Sequence, residues 1–177
     1  MNIFYLSPDP DECAQWHVDK HVTKMNIEYA QLLSTAHRIL DGTQQTLTTP
    51  RKKTIWTLTD DRETTLYKAT HVNHPSCLWT RQSDANYVWL LNLWKSLLAE
   101  YTHRYGKVHG CAKLLPALST PPCRIPKTTF AEPPAAMPDA CKRSTAIESY
   151  HEYYRTHKRS FASWKHRDVP AFMRPCP

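Results

Sequence analysis

A line of chemically reactive side chains recurs along the stretch from Cys13 to Leu40. Its members are Cys13, His17, His21, Lys24 and Glu28, spaced three or four residues apart. On a helix, this spacing places side chains on one face. A thiol, two imidazoles, an ammonium group and a carboxylate on one face suit proton transfer, amine chemistry or metal binding.

The second part of this line, His21, Lys24 and Glu28, has two interpretations. Because the three side chains stack along one face, they can meet over one pocket. Glu28 would there activate a nucleophile or stabilise a cation. The alternative is a salt bridge between Lys24 and Glu28 on a solvated face.

The first part, Cys13, His17 and His21, has a spacing used by zinc ligands. One straight helix cannot surround a tetrahedral ion, so a zinc site would need another ligand, such as His71 or His74. The alternative is two surface imidazoles near a buried thiol. We expect no metal and no cofactor, and the sequence lacks the glycine patterns of nucleotide-binding loops and the Gly-x-Ser-x-Gly elbow.

Three main helices are expected to position these residues. The first runs from about Pro10 to Leu40 and ends at Gly42, which is free to be left-handed. The second follows a cap at Ser83 and continues as a strong apolar stripe to Gly106. The third is capped by Ser144 and carries Tyr150, Tyr154 and Trp164 on or near one side.

The connections between these helices are long. The stretch from Thr43 to Val72 shows no sustained periodicity of apolar residues, and we predict a loop with a short helix from Asp61 to Tyr67. Within it, Arg51 to Lys53 could contact phosphates or be a solvated charge cluster. Pro75 can open a short helical turn. Lys107 to Arg143 holds seven prolines and excludes a long helix or strand. The predicted fold is therefore all-α, with about three main helices and long proline-rich ordered connections.

The overall composition limits the class of protein. The chain has 177 residues, which fits one domain with a substantial core. It has no apolar run of 18 residues, and its first residues do not resemble a signal peptide, so we expect a cytoplasmic protein (in the host cytoplasm if viral) and no membrane partner. Its six cysteines lack paired spacings, so free thiols are expected.

The formal charge of +7 is concentrated near the end of the sequence. From Cys141 onward, eight Lys and Arg residues accompany three Asp and Glu residues. Tyrosines are interleaved with these cations, a pattern that suits a polyanion with stackable bases. The alternative is an amphipathic helix with a cationic outer face.

A second cluster of polar residues precedes the second long helix. Asn73, His74, Pro75 and Ser76 are followed by Arg81. Histidine, asparagine and arginine near a helix N-terminus make a natural phosphate contact. A structural turn capped by Asn73 is the alternative.

Several of these motifs together resemble the pyrimidine-dimer DNA glycosylases of the phage endonuclease V type. The resemblance rests on the start MNIFYLSPDP, on Asp19-Lys20-His21 with Glu28 seven residues after the histidine, on Asn73-His74-Pro75, on the helix end from Glu100 to Gly106, and on YHEYYR at 150–155. It covers about half of the chain in scattered pieces. The whole sequence also resembles a group of phage-encoded proteins without an assigned activity.

The resemblance implies one α-helical glycosylase-like domain over residues 1–177 that excises damaged or modified pyrimidines and also cleaves abasic DNA. In that family, the α-amine of the chain attacks C1′ of the sugar, and a glutamate assists. Glu28 would be this glutamate and His21 a contact to DNA or sugar. The amine of Met1, the amine of Lys24 or an activated water are the candidate nucleophiles.

Duplex DNA with a damaged or modified base is the expected partner, and the oligomeric state is left open. The predicted DNA contacts are Lys20, Asn73, His74, Arg81, Arg104, Lys107, Tyr150, Tyr154, Arg155 and Lys158. Two other functions stay open at this point. One is a non-catalytic nucleic-acid-binding phage protein that blocks a host enzyme, and the other is a phage enzyme of DNA-base hypermodification on the same fold.

Overall fold

The computed structural model describes residues 1–48, 50 and 53–174, and it is mainly helical. The α-helices of this part of the chain are α1 (Pro10–Trp16), α2 (Asp19–Asp41), α3 (Arg62–Thr65), α4 (Pro75–Gln82), α5 (Asp84–Tyr105), α6 (Leu115–Leu118) and α7 (Ala146–Tyr153). Strands β1 (Thr43–Leu47) and β2 (Lys53–Thr57) pair antiparallel. Short 3-10 turns span Gly110–Leu114, Asp139–Cys141, Arg159–Phe161 and Ala171–Met173, and a π-turn spans Tyr154–Lys158.

Helix α5 forms as its capping residues predict. The Ser83 hydroxyl accepts a hydrogen bond from Ala85 N, which satisfies a free N–H at the helix start. Gly106 ends the helix with φ of 64°, a left-handed conformation that glycine adopts without a steric penalty. The predicted helical turn at Pro75 is α4, which joins α5 at Ser83.

The single first helix predicted from Pro10 to Leu40 is wrong, because the chain breaks between α1 and α2. His17 and Val18 are extended, with ψ of 133° and 154°. The break frees carbonyl groups, and Arg104 of α5 donates hydrogen bonds to the carbonyls of Gln15 and His17 at 2.8 and 2.9 Å. A distant arginine thus stabilises a break that local periodicity does not reveal.

The prediction of a loop after α2 is corrected by the β1–β2 hairpin, so the fold is mainly helical but not all-α. Gly42 is extended, with φ of −83°, and not left-handed as predicted. A Cβ atom at this position would lie 2.9 Å from Thr57 O and still closer to Arg38 O. Glycine is therefore required for a close approach between the end of α2 and β2. The predicted helix from Asp61 to Tyr67 is limited to α3.

The third predicted helix is shorter and less regular than expected. Thr145, and not Ser144, caps α7 in a reciprocal capping box with Glu148. After Tyr153 the chain continues as the π-turn and the 3-10 turn, so Trp164 lies beyond the helical part. The π-turn shifts the rotational phase of the side chains that follow it.

The proline-rich connection is ordered, as its composition predicts. Side chains of the helices bind its backbone carbonyls: Ser83 binds Thr128 O at 2.7 Å, Trp79 binds Ala131 O at 2.8 Å, and Tyr150 binds Pro134 O at 2.8 Å. Asn2 Nδ2 donates to Ala136 O at 2.8 Å. The connection thus extends from the α4–α5 corner to the first residues of the chain.

The buried apolar residues form one cluster in which α2 packs against α5. The Trp94 indole of α5 donates to Asn26 O of α2 at 2.9 Å, deep in this cluster. None of the helices in the described residues is long and apolar enough to cross a membrane. The five cysteines of this part are free thiols, as predicted, and Cys176 lies outside the described residues.

Candidate active site

A cavity of about 180 Å³ opens beside the middle of α2. It is lined by Met1, Asn2, Phe4, His21, Lys24, Met25, Glu28, Tyr153 and Lys158. The structure therefore brings together all four residues predicted to be catalytic, His21, Lys24, Glu28 and Met1. We refer to this cavity as the Glu28 pocket.

Glu28 lies between two nitrogen atoms. Its Oε1 is 3.1 Å from Lys24 Nζ, and its Oε2 is 3.9 Å from Met1 N. The Glu28 side chain is 15% exposed, whereas that of Lys24 is 70% exposed. The Lys24–Glu28 salt bridge considered above is thus present, and the same carboxylate also faces the Met1 nitrogen. A carboxylate in this position can accept a proton from an amine and stabilise a nearby cation.

Three interactions fix the position of Met1. Its side chain is only 4% exposed and packs against the core. Its carbonyl accepts a hydrogen bond from the buried Ser76 hydroxyl at 3.3 Å. The Asn2 side chain is bound to Ala136 O. These anchors hold the backbone and leave the Met1 nitrogen facing Glu28.

His21 forms an aromatic wall of the pocket. Its ring stacks on Phe4, with centroids 4.1 Å apart and planes within 14°, and its Nδ1 lies 2.7 Å from the Tyr154 hydroxyl. Burial lowers the pKa of His21 to about 2, and the positive charges of His17, Lys158 and Lys24 contribute to this shift. The imidazole is therefore neutral near pH 7 and suits a hydrogen-bonding contact better than acid catalysis.

Cys13 and His17 do not belong to the pocket. His17 Nδ1 lies 2.7 Å from Cys13 O, and its Nε2 lies 2.9 Å from the Tyr29 hydroxyl. The Cys13 thiol donates to Phe4 O, and burial raises its pKa to about 12. Both His17 nitrogens are thus occupied, and the imidazole is buried, not at the surface. The described residues contain no group of three His, Cys, Asp or Glu side chains that could hold a metal.

Of the predicted DNA contacts, Lys158 lines the Glu28 pocket, and Lys20 lies over the Phe161 ring that Lys158 also approaches. Lys20 Nζ is 4.7 Å from the centre of the Phe161 ring. Lys158 Nζ is 4.5 Å from the centre of the Tyr153 ring and 5.9 Å from that of Phe161. Ammonium groups over aromatic faces next to an open pocket suit a phosphate and a base in close succession.

The turn before α4 approaches the same pocket. His74 caps α4, because its Nδ1 accepts from Ser76 N at 3.2 Å, so the cap is not Asn73, which is exposed. Burial lowers the pKa of His74, and the nearby positive charge at the Met1 nitrogen lowers it further. Arg81 donates to Val72 O at 2.8 Å and braces the turn.

The prediction that Arg104, Tyr150 and Tyr154 contact DNA is wrong. Arg104 is 1% exposed, and its guanidinium is bound by Glu100 and Asp19 as well as by the carbonyls of Gln15 and His17. Tyr150 and Tyr154 are fully buried. Arg104 binds the carbonyls at the break after α1, Tyr150 donates to Pro134 O of the proline-rich connection, and the Tyr154 hydroxyl bonds with His21. Each group is therefore used inside the protein.

Lys107 and Arg155 are exposed but do not line the Glu28 pocket. Lys107 follows the end of α5. Arg155 Nε donates to Phe172 O at 2.7 Å, and its Nη1 lies 3.1 Å from Glu152. Neither residue comes together with Glu28.

The sequence interpretation missed Asn2, Phe4, Tyr153 and Ser76. Tyr153 is the tyrosine of the third helix that faces the pocket, and only the register of α7 distinguishes it from Tyr150 and Tyr154. Phe4 lies in the apolar run that opens the sequence, which gave no sign of a site. Ser76 lies in the first turn of α4, two residues after its cap His74, and this position gave no signal of its contact with Met1.

Comparisons with protein-family models, with curated proteins and with solved structures find no match to this chain.

Proposed function

We propose that the protein is a DNA glycosylase with an abasic-site lyase step, acting on damaged or modified pyrimidines in duplex DNA. The observation that carries this proposal is the position of Glu28, which faces both the Met1 nitrogen and Lys24 Nζ in an open pocket. The motif resemblance to the pyrimidine-dimer glycosylases supports the same assignment. Amines next to one carboxylate are the groups that imine chemistry at a sugar carbon requires.

The reaction follows from these groups. A neutral amine attacks C1′, and the bond from C1′ to the base breaks with its electron pair on the base. Glu28 accepts the proton that the amine loses and passes it to the departing base. As the sugar ring opens, the remaining proton of the amine nitrogen moves to O4′ and an imine forms. Glu28 then accepts a proton from C2′, and the C3′–O bond breaks with its electron pair on the 3′ phosphate. The pocket reaches only an extruded nucleotide, so the target must be flipped out of the duplex.

The remaining features fit this proposal. Residues 1–177 would be one helical glycosylase-like domain in the cytoplasm, or in the host cytoplasm for a viral protein. Lys158 would contact the strand at the pocket and Lys20 would contact it beside Phe161, with His74 and Asn73 on the side of α4. His21 would contact the sugar as a neutral imidazole. No cofactor takes part in these steps.

The decisive experiment incubates the protein with duplexes that carry pyrimidine dimers, abasic sites or modified pyrimidines, in the presence of borohydride. We expect a reduced covalent adduct, and peptide mapping assigns it to Met1 or Lys24. An intact-mass measurement establishes whether Met1 carries a free amine. If no substrate yields an adduct or a released base, the proposed activity is wrong.

Glu28→Gln distinguishes the enzyme from a DNA-binding protein without activity. We expect the variant to retain its DNA affinity and to lose product formation by about a hundredfold or more. Asp139→Asn is the matched control, because Asp139 is an exposed carboxylate outside the pocket. Unchanged activity of Glu28→Gln would assign Glu28 to the salt bridge alone.

A further inference from the structure

Two lysines lead from the Glu28 pocket toward the start of α2. Lys158 Nζ lies 4.5 Å from the centre of the Tyr153 ring, and both residues line the pocket. The next ring is that of Phe161, whose centre is 5.9 Å from Lys158 Nζ and 4.7 Å from Lys20 Nζ. An ammonium group over an aromatic face is attracted by the ring, so each charge has a preferred position before any ligand binds.

A third lysine continues this line at the first residue of α2. Lys165 N donates to the Asp19 carboxylate at 3.0 Å, and the Tyr105 hydroxyl donates to Asp19 O at 3.3 Å. Lys165 Nζ lies 5.5 Å from the centre of the Tyr105 ring. Because Asp19 immediately precedes Lys20, the two lysines are neighbours at the start of the helix. We refer to Lys158, Lys20 and Lys165 as the lysine row.

The π-turn after α7 aligns Lys158 with the pocket. Lys158 follows Tyr153 by five residues, and side chains five apart on an α-helix point about 140° away from each other. The five-residue repeat of a π-turn instead places them on one side. Such a turn is a rare departure from α-helix geometry, and it is often found where a functional site needs a particular side chain.

The carboxylates next to the lysine row are compensated inside the protein. Asp19 binds Arg104 at 2.8 Å, and Glu100 binds Arg104 and Arg167 at 2.6 and 2.8 Å. Two carboxylates therefore face two guanidinium groups, and this network has no net charge. Among the described residues, the lysines in ion pairs are Lys24, Lys68 and Lys142. The lysine row thus keeps three unpaired positive charges close together, an arrangement that a polyanion stabilises.

The side of the pocket toward α4 has a different character. His74 Nδ1 accepts a hydrogen bond from Ser76 N, and burial together with the positive Met1 nitrogen lowers the pKa of His74. Arg81 Nη1 donates to Val72 O at 2.8 Å. These two basic residues therefore serve the turn before α4, whereas the lysine row is available to an anion.

We propose that the lysine row binds successive phosphates of the target strand on one flank of the extruded nucleotide, and that the other flank makes no comparable ionic contact. This inference rests on the proposed function for its DNA partner. At 1.5 Å per residue, Lys20 lies about 12 Å from Glu28 along α2, or about three to four base pairs of duplex DNA at about 3.4 Å each. Phosphate contacts fix the register of a protein on DNA, so the row would set which nucleotide faces Glu28.

The test measures DNA affinity against salt concentration for the wild type, for Lys165→Gln and for a double variant that combines Lys20→Gln with Lys165→Gln. The duplexes carry a tetrahydrofuran analogue of an abasic site, which cannot form an imine, so binding is measured without reaction. One duplex extends about ten base pairs, one helical turn, on both sides of the analogue. Two others are cut to about two base pairs, one on the 5′ side and one on the 3′ side, which is shorter than the reach of the row.

On the long duplex, Lys165→Gln should weaken binding about fivefold near 0.15 M salt and lower the log–log salt slope by about 0.9, and the double variant should lower the slope by about 1.8. These differences should disappear on one of the two cut duplexes and persist on the other. Lys158 is left unchanged because it lines the pocket. Lys95→Gln, at an exposed position of α5 outside the row, is the matched control and should change neither quantity.

Equal salt slopes for the wild type and the double variant would overturn the proposal, as would differences that disappear, or persist, on both cut duplexes, or a wild type that binds no DNA. Product formation on the reactive duplexes separates the two proposals. The expected binding pattern without any adduct or released base supports the lysine row and rejects the glycosylase. Normal product formation with equal affinities for the wild type and the double variant rejects the lysine row alone.

Discussion

At the scale of single residues, the site depends on a carboxylate and on the side chains that fix its surroundings. Glu28 faces both the Met1 nitrogen and Lys24 Nζ, while Ser76 and Asn2 hold the backbone of the first residues. A reacting amine must be placed within a few tenths of an ångström of its target, so anchors that never touch substrate can still control the rate. Ser76 is therefore a positioning residue in the proposed reaction.

Ser76→Ala should slow adduct formation on Met1 about tenfold, because the Met1 carbonyl loses its hydrogen bond and the amine its fixed position. The loss of unfolding free energy should be only about 1 kcal/mol. Single-turnover rates at saturating DNA, with urea unfolding in parallel, check both values.

Thr80→Val is the matched control for Ser76→Ala. Thr80 is a buried hydroxyl of the same helix, but it binds Ser76 O and makes no contact with Met1. A similar loss of stability without a loss of rate is expected. Equal rates in the two variants would show that Ser76 has only a structural role.

At the scale of elements, tertiary contacts define the ends of the helices near the site. Arg104 stabilises the break between α1 and α2, and Arg38 joins α2 to the hairpin. Gly42 allows the chain to pass from α2 into β1 without a clash. These three positions decide where the hairpin and the pocket lie along α2.

Gly42→Ala should destabilise the protein by roughly 2 kcal/mol or more, because the new Cβ would clash with the carbonyls of Arg38 and Thr57. Both carbonyls belong to the backbone, so the clash can be relieved only by a shift of the backbone at the base of the hairpin. Gly110→Ala provides the comparison, since a Cβ there meets nothing within 4 Å. Urea unfolding of both variants is the measurement, and equal stabilities would contradict the close approach.

At the scale of the whole molecule, buried imidazoles make stability depend on pH. Burial lowers the pKa of His17 and of His37 to about 4, and that of His21 to about 2. The neutral state of His37 is also visible in its bonds: Arg62 donates to Nδ1 at 2.8 Å, and Nε2 lies 2.8 Å from the Tyr87 hydroxyl. The folded protein therefore binds fewer protons than the unfolded chain below about pH 6.5.

Stability should consequently be complete above pH 6.5 and decrease as the pH falls toward 4. Each of the three histidines adds to this loss, because it takes up a proton in the unfolded chain while it stays neutral in the folded protein. Urea unfolding at several pH values between 7 and 4.5 measures the slope, and His37→Gln should reduce it. An unfolding free energy that stays constant between pH 7 and 5 would contradict the burial of neutral imidazoles.

The sequence by itself determined the helical elements whose signals are local. The cap at Ser83, the apolar stripe and Gly106 define α5, and the three- and four-residue steps place His21, Lys24 and Glu28 on one face. Both features depend only on neighbouring residues. The same local rules indicated that the proline-rich connection contains no long helix or strand, since proline excludes both.

Only the tertiary structure decided which side chains reach the Glu28 pocket and which are internal. Arg104 and Tyr154 have the residue types of DNA contacts, yet distant backbone groups and His21 use them inside the core. Met1 and Tyr153 join the pocket because packing brings the segment before α1 and the end of α7 to α2. Burial and partner choice depend on residues far apart in sequence, and periodicity along one segment contains no information about them.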